Sequence, residues 1–203
     1  MSLIHNRHIV LASASEIRAT MLKNAGLIFD VRPGRVDEDA IRQSLESEGA
    51  SARDLADTLA EMKARKISER EMEALVIGAD QILECEERVF AKPETQDDAR
   101  EQLQFLRGRT HRLLSAAVVC EGGKPIWRHV GTVRLTMHDI TDATIADYVS
   151  RNWESIRHAV GCYKIEEEGV RLFARIEGDF FHILGLPLIE LLTWLRIRGD
   201  IPA

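Results

Sequence analysis

An ionised carboxylate at the end of a buried strand costs several kcal/mol unless something pairs with it or coordinates it. This chain places Asp80 there, directly after the apolar run Ala74-Leu75-Val76-Ile77-Gly78-Ala79. A metal-binding or catalytic role for Asp80 therefore stands beside a structural salt bridge. The second chemical feature is the loop Ala12-Ser13-Ala14-Ser15 between the strand-like His8-Ile9-Val10-Leu11 and the helical pattern opening Glu16-Ile17-Arg18. Backbone N–H groups at the start of such a helix suit an anion, most often phosphate, and Arg18 one turn on adds a fork of donors. In isolation, Ser13 and Ser15 are read as simple helix caps.

Glu38 lies in Asp37-Glu38-Asp39 ahead of a helix, where negative charge also favours the helix dipole. Lys92-Pro93 follows a hairpin beginning at Asp80, and the proline stiffens it so that the ammonium swings back over the strand end. Lys63 falls beside an apolar helix seam or facing solvent, where a lysine ordinarily counts as surface. The seven histidines show no metal-ligand spacing, so His111, His158 and His182 are expected to be structural.

The elements that must position these groups alternate short apolar runs with helical patterns, which predicts α/β layering. Strands are expected at about residues 7–13 and near Phe29-Asp30-Val31, with a helix at about 15–25 between them. A long helix from Ser51 to about Glu71 carries Leu55, Leu59 and Met62 at i, i+4 and i+7. Gln81-Ile82-Leu83 and Val89-Phe90 flank an acidic turn as a hairpin. Thr95 and Asp98 form a capping box for a helix bearing Ala99, Leu103 and Leu106. Two further β-rich runs, Leu113 to Cys120 and Pro125 to Met137, meet at Gly122-Gly123. Thr141 caps a helix with Ile145, Tyr148 and Val149 on one face, and Pro187 opens a final helix with Leu188, Leu191, Leu192 and Leu195.

The chain has 203 residues, 45% hydrophobic and 30% charged, as expected of one folded domain. No apolar stretch reaches the roughly 20 residues that span a bilayer, and Met1-Ser2-Leu3-Ile4-His5 lacks the build of an export signal. A cytoplasmic location is expected. Cys85, Cys120 and Cys162 are widely separated, which suggests buried thiols in a reducing compartment; Cys162 is read as a pocket-wall residue. A net charge of −6 argues against coating nucleic acid, and an anionic substrate would need a locally basic pocket or a metal ion.

Leu11-Ala12-Ser13-Ala14-Ser15 with Arg18, Val36-Asp37-Glu38, Lys63-Ala64, Ile77-Gly78-Ala79-Asp80, Lys92-Pro93, Gly108-Arg109-Thr110-His111 and Gly185-Leu186-Pro187-Leu188 follow one another as in the Maf family. The chain resembles these nucleoside triphosphate pyrophosphatases from about residue 8 to residue 195, and the ordered set makes the resemblance specific. It implies a single domain over residues 1–203: a mixed, partly antiparallel sheet with flanking helices, in two lobes around a deep cleft. One lobe would hold the terminal helices and the other the central β-rich part. It also implies a homodimer. The reaction implied is hydrolysis between the α and β phosphates with Mg²⁺, Mn²⁺ or Co²⁺. By position, Asp80 would be general base with a share in the metal, Glu38 a metal ligand, Ser13, Ser15 and Arg18 phosphate ligands, and Lys63 and Lys92 the stabilisers of transition-state charge.

Gln81 after Asp80, and Gly161-Cys162-Tyr163-Lys164, resemble the 7-methyl-GTP branch of the family. Tyr163 would then stack on the methylated base and Glu166 would accept from a guanine edge, with Lys164 beside them. Ser15-Glu16-Ile17-Arg18 departs from the family's usual Ser-Pro stretch and puts an acid near the phosphates. A pyrophosphatase of dTTP and UTP or of broad range is the alternative of the same chemistry. A nucleotide-binding regulator of cell division without hydrolysis is the alternative of another class.

Overall fold

A computed structural model describes residues 7–201, so the expected lack of an export signal at Met1 to His5 concerns residues outside those described. Two compact units result. One comprises the described residues up to Gln81, Ser115–Gly131 and those from Phe180 onward; the other comprises Ile82–Leu114 and Thr132–Asp179. No helix among the described residues is long and apolar enough to cross a membrane.

In the first unit, strand β1 (Ile9–Leu11) leads into helix α1 (Glu16–Asn24), strand β2 (Asp30–Val31), helix α2 (Glu38–Ser47) and helix α3 (Ala52–Ser68). Strand β3 (Leu75–Cys85) follows, and β1 pairs in parallel with β2 on one side and with β3 on the other, in register Leu11↔Ile77. The seven-stranded sheet has hydrogen-bonded order β2-β1-β3-β5-β6-β7, with β4 beside β3, where β4 is Arg88–Phe90, β5 Thr110–Glu121, β6 Lys124–Met137 and β7 Phe173–Glu177. The sheet is mixed, because β3 and β4 are antiparallel and β6 and β7 are antiparallel. Gly122 and Gly123 turn β5 into β6 with positive φ of 56° and 73°, a two-residue turn that suits glycine.

β3 does not stop at Ala79 as the apolar run suggests. Gln81-Ile82-Leu83 is its continuation, so Asp80 lies inside the strand, three residues past the last β1 partner, Ile77. Side chains alternate across a strand. Leu75, Ile77 and Ala79 enter the core with Leu11, Leu22, Leu186, Leu191 and Leu195, the last two on helix α7 (Leu188–Arg198). Val76, Gly78 and Asp80 consequently share the opposite face, toward α3.

Gly78 is the contact point. A Cβ built there would lie 2.2 Å from the Ala60 carbonyl oxygen and 2.7 Å from the Ala64 nitrogen, so β3 and α3 meet backbone to backbone. The buried seam of α3 runs through Leu55, Ala56, Leu59, Ala60, Ala64 and Ile67. Met62, expected on that seam, is 39% exposed, because small residues rather than methionine face the strand. Replacing Gly78 by Ala forces backbone against backbone and should lower stability by about 3 kcal/mol, the upper range for overpacking. A urea midpoint unchanged from wild type would contradict this seating of the helix.

The second unit packs helix α4 (Gln96–Leu106) with helix α5 (Asp142–Ile156). Thr95–Asp98 forms the expected capping box, and Thr141 caps α5. β7 and helix α6 (Phe180–Ile183), the latter in the first unit, carry no clear period and were not expected from sequence.

Candidate active site

The two faces of β3 decide what Asp80 and its neighbour meet. Asp80, 7% exposed, accepts a hydrogen bond from Lys63 Nζ at 2.6 Å, and the same ammonium lies 2.7 Å from Glu38 Oε1. Glu38 stands in the first turn of α2, where Asp37 supplies the cap by accepting from the Ala40 N–H. The carboxylate of Glu38 is thereby left to reach Lys63. One cation holds two carboxylates from two elements. Burial pushes the Asp80 carboxyl above its ordinary range, with the ammonium of Lys63 and the guanidinium of Arg18 opposing.

Lys63 is not the surface lysine that its helical position implied. It follows Ala60 by three residues on the helix that Gly78 admits, and only 11% of its side chain is exposed. The close approach at Gly78 aims it at Asp80, and the small residues Gly78, Ala60 and Ala64 were the available signal in the sequence.

Arg18 ties the serine loop down. Its Nε donates to the Gly185 carbonyl at 2.7 Å, and Nη1 donates to the Ala79 carbonyl at 2.9 Å and to Ser13 Oγ at 3.2 Å. Burial lowers its pKa, against the pull of Asp80 and Glu38. It joins the loop, the strand residue before Asp80 and the turn ahead of α7. Ser15 occupies the helix N-cap but makes no side-chain cap bond; its N–H donates to Ser13 Oγ at 3.3 Å. The simple cap reading of Ser15 therefore does not hold.

Gln81 points to the other face. Its Nε2 donates to Ser115 Oγ at 3.0 Å and to the carbonyls of His182 at 3.0 Å and Ile183 at 2.9 Å. Ser115, fully buried, also donates to the His182 carbonyl at 2.6 Å, a partner that no local pattern announced. Gln81 thus anchors the segment leading to α7 to the strand that carries Asp80.

Lys92, Tyr163, Lys164 and Glu166 belong to the second unit. Lys92 is exposed on the loop after β4, and Glu166 is exposed. Lys164 Nζ lies 3.3 Å from Glu167 Oε1. Tyr163, expected to stack on a base, instead lies in a buried aromatic cluster. Its hydroxyl is 2.7 Å from His111 Nε2 and its ring meets Phe173 edge-on at 4.7 Å. His111 is fully buried and its pKa drops to about 4 through desolvation, in keeping with the expected structural role. Cys162 is buried too, its thiol pushed up to about 12 by desolvation, which makes it no nucleophile at neutral pH.

The Asp80–Lys63–Glu38 cluster offers a buried carboxylate of raised basicity, a cation and a second carboxylate, with a serine-rich helix start in the same unit. Two carboxylate oxygens converging on one positive charge are the donor type that a hard divalent cation takes. A cavity of about 460 Å³ lined by Arg32, Pro33, Arg35, Ile67, Arg70 and Glu71 contains none of these residues.

The family model described as Maf-like protein matches residues 8–197. A nucleoside triphosphate pyrophosphatase of Roseobacter denitrificans is 60% identical over 194 residues, covering 96% of this chain and 98% of the relative. A protein of Caulobacter vibrioides with the same name is 50% identical over 94% of this chain and 96% of its own length. The 7-methyl-GTP pyrophosphatase of Rhizobium meliloti is 44% identical over 96% and 98%.

Proposed function

The chain belongs to the Maf family and is an enzyme of the nucleoside triphosphate pyrophosphatase class, and from that premise we propose how its residues carry the reaction. A water molecule attacks the α phosphorus of a nucleoside triphosphate, its proton passes to Asp80, and pyrophosphate leaves with the electron pair of the broken P–O bond. The observation that carries this reading is the buried Asp80 carboxylate, raised in pKa and held by Lys63. A general base works best when its pKa approaches the working pH, and burial moves Asp80 that way.

Phosphoanhydride cleavage asks the protein mainly for positioning and for positive charge where negative charge grows. Lys63, and Lys92 from its exposed loop, supply ammonium groups for that purpose, and Ser13 and Ser15 with the first amides of α1 take phosphate oxygens. Arg18 holds this loop against Ala79 and Gly185. Glu38 and Asp80 would hold the divalent cation, whose oxygen-preferring chemistry fits them and which would neutralise phosphate charge when bound.

For the base we propose 7-methyl-GTP first, on Gln81 and Gly161-Cys162-Tyr163-Lys164 and on the 44% identical relative that bears that name. A standard pyrimidine or broad substrate range is the second reading, favoured by relatives at 50% and 60% identity whose names specify no base. Gln81 and Tyr163 are each held by hydrogen bonds within their own unit. The same reading makes the protein a cytoplasmic homodimer, a setting that suits its three buried free thiols.

A pyrophosphate-release assay on 7-methyl-GTP, UTP and dTTP with Mg²⁺, Mn²⁺ or Co²⁺ tests this. Turnover is expected with metal and should vanish with chelator, and kcat/KM ranks the bases. Nucleotide binding without release of pyrophosphate by the wild type would instead favour a regulator.

A further inference from the structure

Three side chains far apart in sequence meet in the first unit: His129 on β6, His182 on α6 and Glu190 in the first turn of α7. One ligand atom from each lies within 4.8 Å of the others. His182 Nε2 is 3.1 Å from Glu190 Oε2, and His129 Nε2 is 3.7 Å from Glu190 Oε1. We propose that these residues form a second metal site, distinct from the Asp80–Glu38 pair, which takes one Zn²⁺-class ion with solvent completing the coordination.

The donor set selects the metal. Two imidazoles and a carboxylate suit Zn²⁺ and its late transition-metal neighbours, whereas Mg²⁺ requires oxygen donors and keeps its waters. Tetrahedral zinc places its ligand atoms roughly 3.3 Å apart, so the present spacing closes by a modest turn of the half-buried His129.

The supports of the site are built in. Gly131 lets the His182 ring lie directly on β6, where a Cβ would come within 2.1 Å of that ring. The His182 carbonyl is held by Ser115 and Gln81, which fixes the backbone beneath the imidazole. Trp127 stacks on His129, with centroids 6.3 Å apart, and on Trp194 at 5.5 Å.

No spacing rule could find this site, because its ligands come from three elements and only the fold assembles them. Through Gln81, the segment bearing His182 is joined to the residue after Asp80. Zinc here would brace the wall behind the catalytic strand.

The test titrates metal-free protein with Zn²⁺ in millimolar Mg²⁺ against a chromophoric chelator, with Co²⁺ quenching of tryptophan fluorescence as a second readout. Wild type is expected to retain one Zn²⁺ per chain, and Co²⁺ should quench Trp127 and Trp194. His129→Gln and Glu190→Gln should each weaken zinc binding by at least about tenfold, while Asp80→Asn retains it. Circular dichroism of the Gln variants separates a lost ligand from a lost fold, and His129→Cys, which restores a ligand, should recover binding. Zinc displaced by Mg²⁺, or variants of native fold that bind like wild type, would overturn the site.

Discussion

Asp80→Asn should lower kcat for pyrophosphate release by about three orders of magnitude, within the range expected for losing a general base. The substitution keeps the shape and removes both the proton acceptor and the charge. Stability should change far less than activity. The Asn relieves the burial penalty on a carboxylate, and Lys63 keeps Glu38 as a partner at 2.7 Å, so the net shift is about 1 kcal/mol in either direction. The pH profile adds a check. Burial raises the Asp80 carboxyl, so wild-type kcat should climb with pH through an acid limb above the ordinary carboxylate range, and the residual activity of the variant should lack that limb. Rates measured across pH 4 to 9 beside urea unfolding distinguish the cases. An Asn variant within a few-fold of wild type at full metal would remove Asp80 from the chemistry.

Lys63→Met carries the second large effect, and it falls on both stability and rate. The ammonium offsets the burial of Asp80 and also binds Glu38. Removing one partner of a buried pair typically costs about 3–5 kcal/mol. Asp80 can escape part of that cost by taking up a proton, since Arg18 is then the chief cation opposing its burial. A neutral Asp80 accepts no proton from water, so the acid limb of the rate should move upward in pH as kcat falls about a hundredfold. The sign for stability follows the raised carboxyl: the Asp80 cost is absent at acid pH, where the group is protonated folded and unfolded, grows as pH rises from its unfolded pKa toward its raised folded pKa, and levels off above that. The variant should therefore be nearest to wild type in stability at low pH. An unshifted acid limb, or a uniform loss at every pH, would mean that Lys63 does not govern the Asp80 proton.

Much of the frame is legible in the sequence. The capping box at Thr95 and Asp98, the Gly122-Gly123 turn and the Pro187-led helix are local patterns, and local hydrogen bonds make them wherever they occur. β3 outruns its apolar segment because a change of partner does not interrupt a strand: pairing with β1 ends at Ile77, while the backbone runs on extended to Cys85. Met62 lies off the buried seam that its hydrophobic period suggests, because a helix packed against glycine presents its smallest residues.

Residue type and order by themselves determined the class of chemistry: a carboxylate in an apolar strand, a serine turn before a helix, lysines and an acid in family order. Which atoms touch was decided only in three dimensions. Lys63 serves Asp80 because the absence of a side chain at Gly78 lets α3 approach the strand. Gln81 and Tyr163, matched by sequence to a substrate, also satisfy polar groups of the protein itself. His129, His182 and Glu190 become neighbours through contacts over 53 and 61 positions of chain. Local patterns are set by bonds within a few residues, but a buried polar group takes whatever partner the packed backbone brings within about 3 Å, and sequence spacing does not encode that distance.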